Sequence, residues 1–407
     1  MSTNVPHKDE SSGGGKNEVN VKNLKDQVVK EIDNNSNRLK ELSLKIHSNP
    51  EVGLQEIKTA ALLCQYLEQN GFMVERGICE LPTAFRASYG QGKPIIALIA
   101  EYDALPNLGH ACGHNIISAV AIGTGIVSKL AADQLGGSIH VIGTPAEEFY
   151  GGKVAMALRG GFDNLDFAMM VHPGWEDRAI HYTFASQSIE VEFFGKAAHA
   201  SHQPELGINA FEALLQSFNH INSLRQHVKE KTRITGIITK CGGAVNIVPD
   251  YSSAIFTIRS DDDTYLEELK KKVLNCFLGA ATATGARLEY KWPNGPRNSM
   301  RTNFTLAEVF SQNLRLLGRT TKIPDPKDLG GSADLANVSR LVPTIHGWVE
   351  LIPGLVPHQP EFAVAAGSEA GMRCLVDGAK ALSMTVVDLL ANPEIRDKIK
   401  DEFQRGK

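Results

Sequence analysis

Apolar side chains near the start of the chain recur every three or four residues, as on one face of an amphipathic helix. They are Leu24, Val28, Ile32, Leu39, Leu42 and Ile46. Residues 57–71 continue the same period, and Gly71 is a candidate helix end. The pattern predicts two helices. Residues 1–20 precede them and are rich in Ser, Gly, Lys and Glu, which predicts a disordered tail.

Continuous apolar runs then alternate with helical patterns. The runs at 95–99, 138–143 and 167–171 lack the polar alternation of a half-exposed strand, so they predict strands buried on both faces. Helical patterns at 116–130 and 152–159 lie between them. This alternation predicts an α/β domain with a mostly parallel sheet.

The pattern changes near residue 186, where residues 188–194 alternate polar and apolar side chains like a strand with one exposed face. The later segments predict a helix at 207–229, strands at 235–239 and 254–260, a helix at 264–285 and a strand at 287–291. This β-α-β-β-α-β order is that of a ferredoxin-like unit. We therefore predict one domain formed by residues 21–186 and 297–407, with residues 187–296 inserted as a second domain.

Composition narrows the function classes. The chain has 407 residues and a net charge of −4 without a dense stretch of Lys and Arg, which argues against nucleic-acid binding. Its apolar runs are shorter than the roughly 18 residues of a membrane span, and the N-terminus lacks the apolar core of a secretory signal. Six widely spaced cysteines favour a reduced protein over a disulfide scaffold. We expect a cytoplasmic protein that contacts neither nucleic acid nor membrane.

Side chains suited to metal binding follow the predicted strands. Glu101 and Asp103 come directly after the run at 95–99, and Cys112 and His114 follow, separated by one Gly. A thiolate and an imidazole at this spacing can face one centre, and zinc accepts both ligands. Taken alone, a buried cysteine beside a structural histidine explains the pair equally well.

Two adjacent carboxylates, Glu147 and Glu148, follow the run at 138–143. Burying both without a cation is costly, whereas a metal would let one ligate while the other acts as a base. A solvated acidic turn is the alternative. His172 ends the run at 167–171, and His358 lies in a Gly/Pro-rich loop; alone, each is more simply a structural residue. Ligands gather at the carboxyl ends of parallel strands, so the combination predicts one site.

Together these segments resemble metallopeptidase family twenty, which contains aminoacylases, carboxypeptidase-G-type enzymes and auxin-conjugate amidohydrolases. The similarity spans about residues 35–395 and is to the branch with a Cys in the first metal motif, here HACGHN at 110–115. Asn115 and the segments 331–339 and 358–362 are similar to the aminobenzoyl-glutamate hydrolase and β-alanyl-dipeptide hydrolase group. The first residue of the broader family's His-x-Asp motif is Glu101 here.

The resemblance implies two divalent metal ions, with zinc first and manganese or cobalt as alternatives. It implies five metal ligands, which are Cys112, His114, Glu148, His172 and His358. Glu147 becomes the general base. Asp103 becomes a carboxylate that orients a neighbouring group without ligating.

The resemblance also implies that residues 187–296 form a lid and dimerisation domain. His199 would reach across a homodimer to the partner's active site, and Asn246 lies in the family's second lid loop. Both would donate hydrogen bonds to the reaction's oxyanion or to a substrate carboxylate. Taken alone, both are ordinary turn residues.

Three further residues are candidates for substrate binding. Arg259, on the predicted strand at 254–260 of the inserted domain, offers a bidentate clamp for a carboxylate, although a surface arginine is the simpler explanation. Gly331 would allow close approach of backbone to substrate. Asp334 would contact a substrate amine, or would begin a helix.

The expected function is hydrolysis of the amide bond in small substrates, either dipeptides or N-acyl amino acids. One alternative is a relative that forms amide bonds in biosynthesis. Another is a catalytically silent, metal-bound binding module. The presence of Glu147, all five implied ligands and His199 argues against the silent module.

Overall fold

The computed structural model describes residues 20–325, 327 and 330–406, so the predicted tail lies outside the described residues except for Asn20. The strands of the described chain are β1 (Met73–Arg76), β2 (Phe85–Gln91), β3 (Ile95–Ala100), β4 (Gly137–Gly143), β5 (Phe167–Gly174), β6 (Ala185–Phe194), β7 (Thr232–Cys241), β8 (Tyr251–Ser260), β9 (Arg287–Lys291) and β10 (Thr344–Glu350). Its α-helices are α1 (Val21–His47), α2 (Ile57–Gln69), α3 (His114–Leu135), α4 (Gly152–Leu158), α5 (Ala210–Leu224), α6 (Asp263–Thr284), α7 (Phe304–Leu316), α8 (Leu335–Leu341), α9 (Pro360–Ala366), α10 (Glu369–Ala391) and α11 (Pro393–Arg405).

The first sheet has the strand order β1-β2-β4-β3-β5-β10. Its four central and distal strands, β4, β3, β5 and β10, are parallel, whereas β1 and β2 form an antiparallel edge. The α/β prediction with a mostly parallel sheet is confirmed. Parallel strands align their carboxyl ends, so the residues that follow β3, β4 and β5 emerge at one edge of this sheet.

Helix α3 forms the centre of this domain and packs against β3, α1 and α10. It is long and apolar enough to cross a membrane by length and composition, but most of it is buried inside the protein. A helix that is apolar on all sides is expected in the core of a large domain. Because α3 begins at His114, its first turn lies at the edge of the sheet where the candidate ligands converge.

The inserted domain forms a second sheet in the order β7-β8-β6-β9, with α5 and α6 packed against it. The predicted ferredoxin-like order is confirmed. The predicted helix at 207–229 is shorter than expected, because Asn209 caps α5 by accepting hydrogen bonds from the backbone N–H groups of Phe211 and Glu212. The helix ends at Leu224, where a single 3₁₀ turn replaces the predicted last turns. The domain boundaries after residues 186 and 296 stay predictions.

Candidate active site

A cavity of about 560 Å³ lies where the carboxyl ends of the parallel strands face the inserted domain. Its wall includes residues from both domains, because Arg259 reaches it from β8. The predicted site residues that line it are Cys112, Glu147, Glu148, His172, Arg259, Gly331 and His358. The fold therefore brings together segments that are far apart in the sequence.

The five predicted metal ligands form one cluster. The Cys112 sulfur lies 3.4 Å from His172 Nε2, and His358 Nε2 lies 3.4 Å from Glu148 Oε2. The side-chain atoms here that could bind a metal, those of Glu147 included, fall into three overlapping groups, each within 4.8 Å: Cys112, His114 and His172; Cys112, Glu148 and His358; and His114, Glu147 and Glu148. Cys112, His114 and Glu148 each belong to two groups, so this arrangement suits two neighbouring ions that share ligands.

Gly113 explains how a thiol and an imidazole two residues apart reach the same cluster. Its φ is +77°, a left-handed conformation that glycine adopts without strain. A Cβ at this residue would lie 2.4 Å from Cγ of Pro173. Gly113 thus lets the chain turn sharply between Cys112 and the first residue of α3 while packing against the strand end that carries His172.

The turn after β4 directs its two carboxylates to different partners. Ala146 has a left-handed φ of +57°. The side chain of Glu56 stabilises this turn by accepting a hydrogen bond of 2.8 Å from the Ala146 N–H. Glu148 then points to His358, whereas Glu147 Oε1 lies 3.8 Å from an Arg297 nitrogen. This geometry leaves Glu147 beside the cluster without requiring it as a ligand.

Two contacts orient the ligating imidazoles. Nδ1 of His114 lies 3.0 Å from Asp103 Oδ1, and Nδ1 of His172 lies 2.7 Å from the Pro173 carbonyl oxygen. In both rings a donating Nδ1 leaves Nε2 with a lone pair facing the cluster. Partners of this kind fix the tautomer and direction of metal-binding histidines. Asp103 therefore contacts a ligand instead of the cavity.

The buried groups of the cluster fit divalent cations. Nε2 of His114 and Oε1 of Glu148 are buried without a hydrogen-bond partner among the described residues. Burial raises the pKa of Glu148 to about 8 and that of the Cys112 thiol well above its usual range. A bound cation offsets this cost by stabilising the carboxylate and thiolate forms. The residues thus fit two divalent ions held by thiolate, imidazole and carboxylate ligands.

A buried ion-pair network next to the cluster was not predicted from the sequence. The fully buried Lys153 Nζ lies 2.6 Å from Glu101 Oε1 and 2.7 Å from Asp334 Oδ1. Burial alone lowers the pKa of Lys153, but Asp334 and Glu101 more than offset this and hold it above its usual range. The other Glu101 oxygen lies 3.4 Å from His114 Nε2. Lys153 follows Gly151 and Gly152, shortly after the turn that carries Glu147. This nearness to the predicted base is the sequence signal that could have identified Lys153.

Asp334 has a different environment from the one expected for a contact with a substrate amine. It is fully buried, and both of its oxygens bind Lys153, one to the side chain and one to the backbone N–H at 2.9 Å. It precedes α8 without capping it through its side chain. Asp334 therefore positions Lys153 and does not face the cavity.

The cationic side of the cavity is formed by Arg259 and Arg297. Arg259 donates a hydrogen bond of 2.7 Å to the Ser332 hydroxyl, and no carboxylate pairs with it in the described chain. Burial, and to a lesser extent the positive charge of Arg297, lower the pKa of Arg259 because both disfavour its charged form. A bound anion between the two arginines would offset this cost. Gly331 also lines the cavity, but a Cβ there would meet no protein atom within 4 Å.

The two predicted lid residues lie together but away from this cavity. The segments carrying them are joined by a bridge between His199 and Ile247 and by the hydrogen bond from Ala200 N–H to the Asn246 carbonyl, 3.0 Å long. Both side chains belong to exposed residues, and neither lines the cavity of its own chain. A single protomer therefore does not bring them to the ligand cluster.

Three cavity residues carry chemistry that the sequence did not indicate: His181, His346 and Trp348. Two of them lie on β10, a strand that was not predicted. Burial lowers the pKa of His181 to about 4 and that of His346 well below its usual range, so both imidazoles are neutral near pH 7. His346 and Trp348 are two residues apart on β10, so their side chains lie on one face of the sheet. Grouping them from the sequence would have required recognising this strand.

Comparisons with known proteins agree with this geometry. Residues 182–280 match the family model described as the peptidase dimerisation domain. The chain is 33% identical to the Xaa-Arg dipeptidase of Mus musculus over 397 residues, which cover 94% of this chain and 92% of that protein. It is 32% identical to one of the subunits of the p-aminobenzoyl-glutamate hydrolase of Escherichia coli over 308 residues, covering 70% and 64% of the two chains.

Solved structures show the same fold. A dinuclear metal-binding peptidase of family twenty from Bacillus subtilis superposes with a TM-score of 0.66 at 22% identity, over 87% of this chain and 98% of that one. An aminobenzoyl-glutamate utilization protein from Klebsiella pneumoniae gives a TM-score of 0.70 at 19% identity, over 89% and 98%. With one ligand cluster, one adjacent carboxylate and a near-complete match to a curated relative, the chain belongs to metallopeptidase family twenty and is a metal-dependent amidohydrolase.

Proposed function

We propose that this protein hydrolyses the amide bond of dipeptides or N-acyl amino acids whose released part carries a carboxylate. The observation that carries the proposal is the position of Glu147, a buried carboxylate next to the ligand cluster with Arg297 as its ion-pair partner. The dipeptidase and the aminobenzoyl-glutamate hydrolase named above act on amides of amino acids, which supports the same substrate class here.

Two divalent ions, held by Cys112, His114, Glu148, His172 and His358, would supply Lewis acidity and lower the pKa of water at the site. We propose zinc, because a thiolate together with imidazoles and a carboxylate is a donor set that zinc favours. Manganese and cobalt are the alternatives. Incubation with a chelator is expected to abolish hydrolysis, and readdition of the correct ion is expected to restore it.

In the proposed reaction, Glu147 takes a proton from the attacking water and passes it to the leaving nitrogen. Burial raises the pKa of Glu147, and Arg297 opposes this rise. A carboxylate made more basic by burial is a better proton acceptor near neutral pH. Arg297 also donates a hydrogen bond to the Glu147 backbone carbonyl, which holds the turn in place.

The proposal is tested by a substrate panel. Purified protein loaded with zinc, manganese or cobalt is assayed on dipeptides, N-acyl amino acids and aryl amides of amino acids, with chelated protein as the control. Metal-dependent release of a free amino acid is the expected result. Condensation of an acid and an amine without any hydrolysis would favour the amide-forming alternative, and metal binding without either reaction would favour the silent module.

Arg259 is proposed to bind the substrate carboxylate, because it is a half-buried cation that faces the cavity without a carboxylate partner in the described chain. We expect Arg259→Met to raise KM for an N-acyl amino acid at least about tenfold, the loss of one charge-assisted contact, with a smaller change in kcat. The measurement is steady-state kinetics on the acid and on its C-terminal carboxamide.

The carboxamide is the internal control, because it lacks the charge that Arg259 is proposed to bind. Arg315→Met is the matched variant, since Arg315 is an exposed arginine of α7 that does not line the cavity. Equal losses for acid and carboxamide would rule out a role in binding the carboxylate.

We also propose a homodimer formed through the inserted domain. Its edge strand β7 has a single neighbour, β8, and exposes apolar side chains at Ile237 (64% exposed) and Ile238 (40%). An exposed apolar edge strand offers unpaired backbone groups with which a strand of a second chain can pair. In such a dimer, the exposed His199 and Asn246 would be free to approach the partner's cavity. Cytoplasmic localisation stays a prediction from the sequence.

The dimer is tested by placing a charge on this edge. Ile237→Lys is expected to weaken self-association at least about tenfold, because a charge on an edge strand opposes pairing with a second strand. Sedimentation velocity over a range of concentrations measures the change. Ile323→Lys, at an apolar residue that is 83% exposed outside the inserted domain, is the matched control. An unchanged dimer in both variants would place the interface elsewhere.

A further inference from the structure

One wall of the cavity is formed by rings that the sheet places in register. In the parallel ladder, Trp348 on β10 lies opposite His172 on β5. His346 precedes Trp348 by two residues, so its side chain emerges on the same face. The chain after β5 returns along this strand through paired backbone hydrogen bonds between Arg178 and Trp348, which brings His181 over the same rings.

The rings are held tightly by one another. The Trp348 indole stacks with His181 at a centroid distance of 4.7 Å and 22°, and with His172 at 5.2 Å and 18°. His346 meets His181 edge-on at 5.0 Å. Trp175 meets the indole edge-on at 4.6 Å. These contacts fix the directions of the ring nitrogens before any substrate arrives.

The nitrogens of this wall have no hydrogen-bond partners among the described residues. They are Trp348 Nε1, His181 Nδ1, and both ring nitrogens of His346. The three side chains are only 6%, 5% and 3% exposed, respectively, yet all three line the cavity. Because buried polar groups are normally bonded, so many free nitrogens at one cavity wall indicate a place where a polar ligand completes the contacts.

The chemistry of these nitrogens limits what the ligand can be. The sets of three or more converging metal-binding atoms in the described chain include neither His181 nor His346. An indole N–H only donates, whereas an imidazole nitrogen donates or accepts according to the ring's tautomer. The matching group must therefore accept and donate hydrogen bonds. The cavity's carboxylates contact the ligand cluster, Lys153 or Arg297, and its arginines contact Ser332 or Glu147, so none of these charged groups pairs with the free nitrogens of the wall.

We propose that Trp348, His181 and His346 form a specificity site for an uncharged substrate side chain that both accepts and donates hydrogen bonds, with a primary carboxamide as the preferred group. The inference deepens the proposed function, on which its place in catalysis rests. Because His172 belongs both to the stacked rings and to the ligand cluster, the bound side chain lies next to the amide that is cleaved.

The experiment measures binding of free amino acids to the metal-loaded protein by calorimetry, using glutamine, glutamate and norleucine. Hydrolysis of a dipeptide releases both of its residues as free amino acids, so these ligands test the site whether the recognised side chain is on the acyl or on the amine residue. Asparagine, aspartate and leucine repeat the comparison with a shorter side chain. In at least one of the two sets, we expect the carboxamide (glutamine or asparagine) to bind at least about tenfold more tightly than the apolar amino acid (norleucine or leucine). We also expect it to bind more tightly than the corresponding acid (glutamate or aspartate).

Variants assign that preference to the wall. Trp348→Phe keeps an aromatic ring but removes the N–H, and it is expected to reduce the carboxamide preference severalfold. Trp292→Phe, in the inserted domain, makes the same chemical change away from the cavity and is expected to leave the preference unchanged. The absence of a carboxamide preference in both sets, tighter binding of the acids, or an unchanged preference in Trp348→Phe would each overturn the proposal.

Hydrolysis of glycylglutamine, glutaminylglycine and their norleucine counterparts separates this inference from the proposed function. Cleavage of these and other amides without a carboxamide preference would overturn the specificity site and leave the amidohydrolase activity in place. A carboxamide preference in binding, with no cleavage of any dipeptide or N-acyl amino acid, would overturn the proposed function and leave the site in place.

Discussion

Glu147→Gln is expected to lower kcat at least about a hundredfold while the protein keeps its metal ions and its substrate affinity. The substitution preserves the size and polarity of the side chain but removes the ability to take a proton. Because Glu147 is beside the ligands and paired with Arg297, its loss should affect the chemical step more than binding. Steady-state kinetics of the purified variant measures kcat and KM, and elemental analysis measures its metal content.

The neighbouring carboxylate provides the matched control. Glu148 belongs to two of the three converging ligand groups and contacts His358, so Glu148→Gln is expected to lose metal as well as activity. The contrast between two adjacent residues is the decisive result. If Glu147→Gln kept near-normal turnover, or if it lost metal as Glu148→Gln does, the division between base and ligand would be wrong.

Lys153→Met is expected to lower the free energy of unfolding by about 3–5 kcal/mol, the usual cost of removing one partner from a buried ion pair. Lys153 is fully buried between Glu101 and Asp334, and its removal leaves two buried carboxylates without their cation. Denaturant unfolding of the metal-loaded protein measures the change. Lys271→Met, at an exposed residue of α6, is expected to change stability by less than about 0.5 kcal/mol.

A triple variant tests whether the cost comes from the unpaired charges. Combining Lys153→Met with Glu101→Gln and Asp334→Asn removes all three charges, and we expect it to recover part of the lost stability. Recovery would not occur if the lysine stem contributed only packing. A single variant as stable as the parent would show that the ion pairs do not hold this part of the site together.

The metal cluster was accessible from the sequence because its members follow apolar runs that end at the same sheet edge. Cys112, Glu148 and His172 each stand at or shortly after such a run, and a parallel sheet brings the ends of its strands together. Strand runs and their order are local properties of the chain. His358 lies in a loop, and the family resemblance was needed to group it with the others.

The residues around the cluster depend on tertiary contacts that no local pattern reports. Lys153 looks like an ordinary helix residue until the fold places it between Glu101 and Asp334, which are 233 residues apart from each other by their numbering. Trp348 and His346 lie on β10, whose short mixed sequence did not stand out as a buried strand. Helix α5 was overestimated because its apolar period continues past the residue where the backbone tightens into a 3₁₀ turn.

The ligand cluster draws on residues from Cys112 to His358, with the whole inserted domain between His172 and His358. During synthesis, the ribosome releases the first four ligands long before the fifth. The whole inserted domain must also be synthesised, and its two ends must come together, before His358 can join the other four predicted ligands. With the proposed ligand set, full-affinity metal binding is therefore expected late in the maturation of the chain, and shortened products ending before residue 358 are expected to bind the ions less tightly than the full chain.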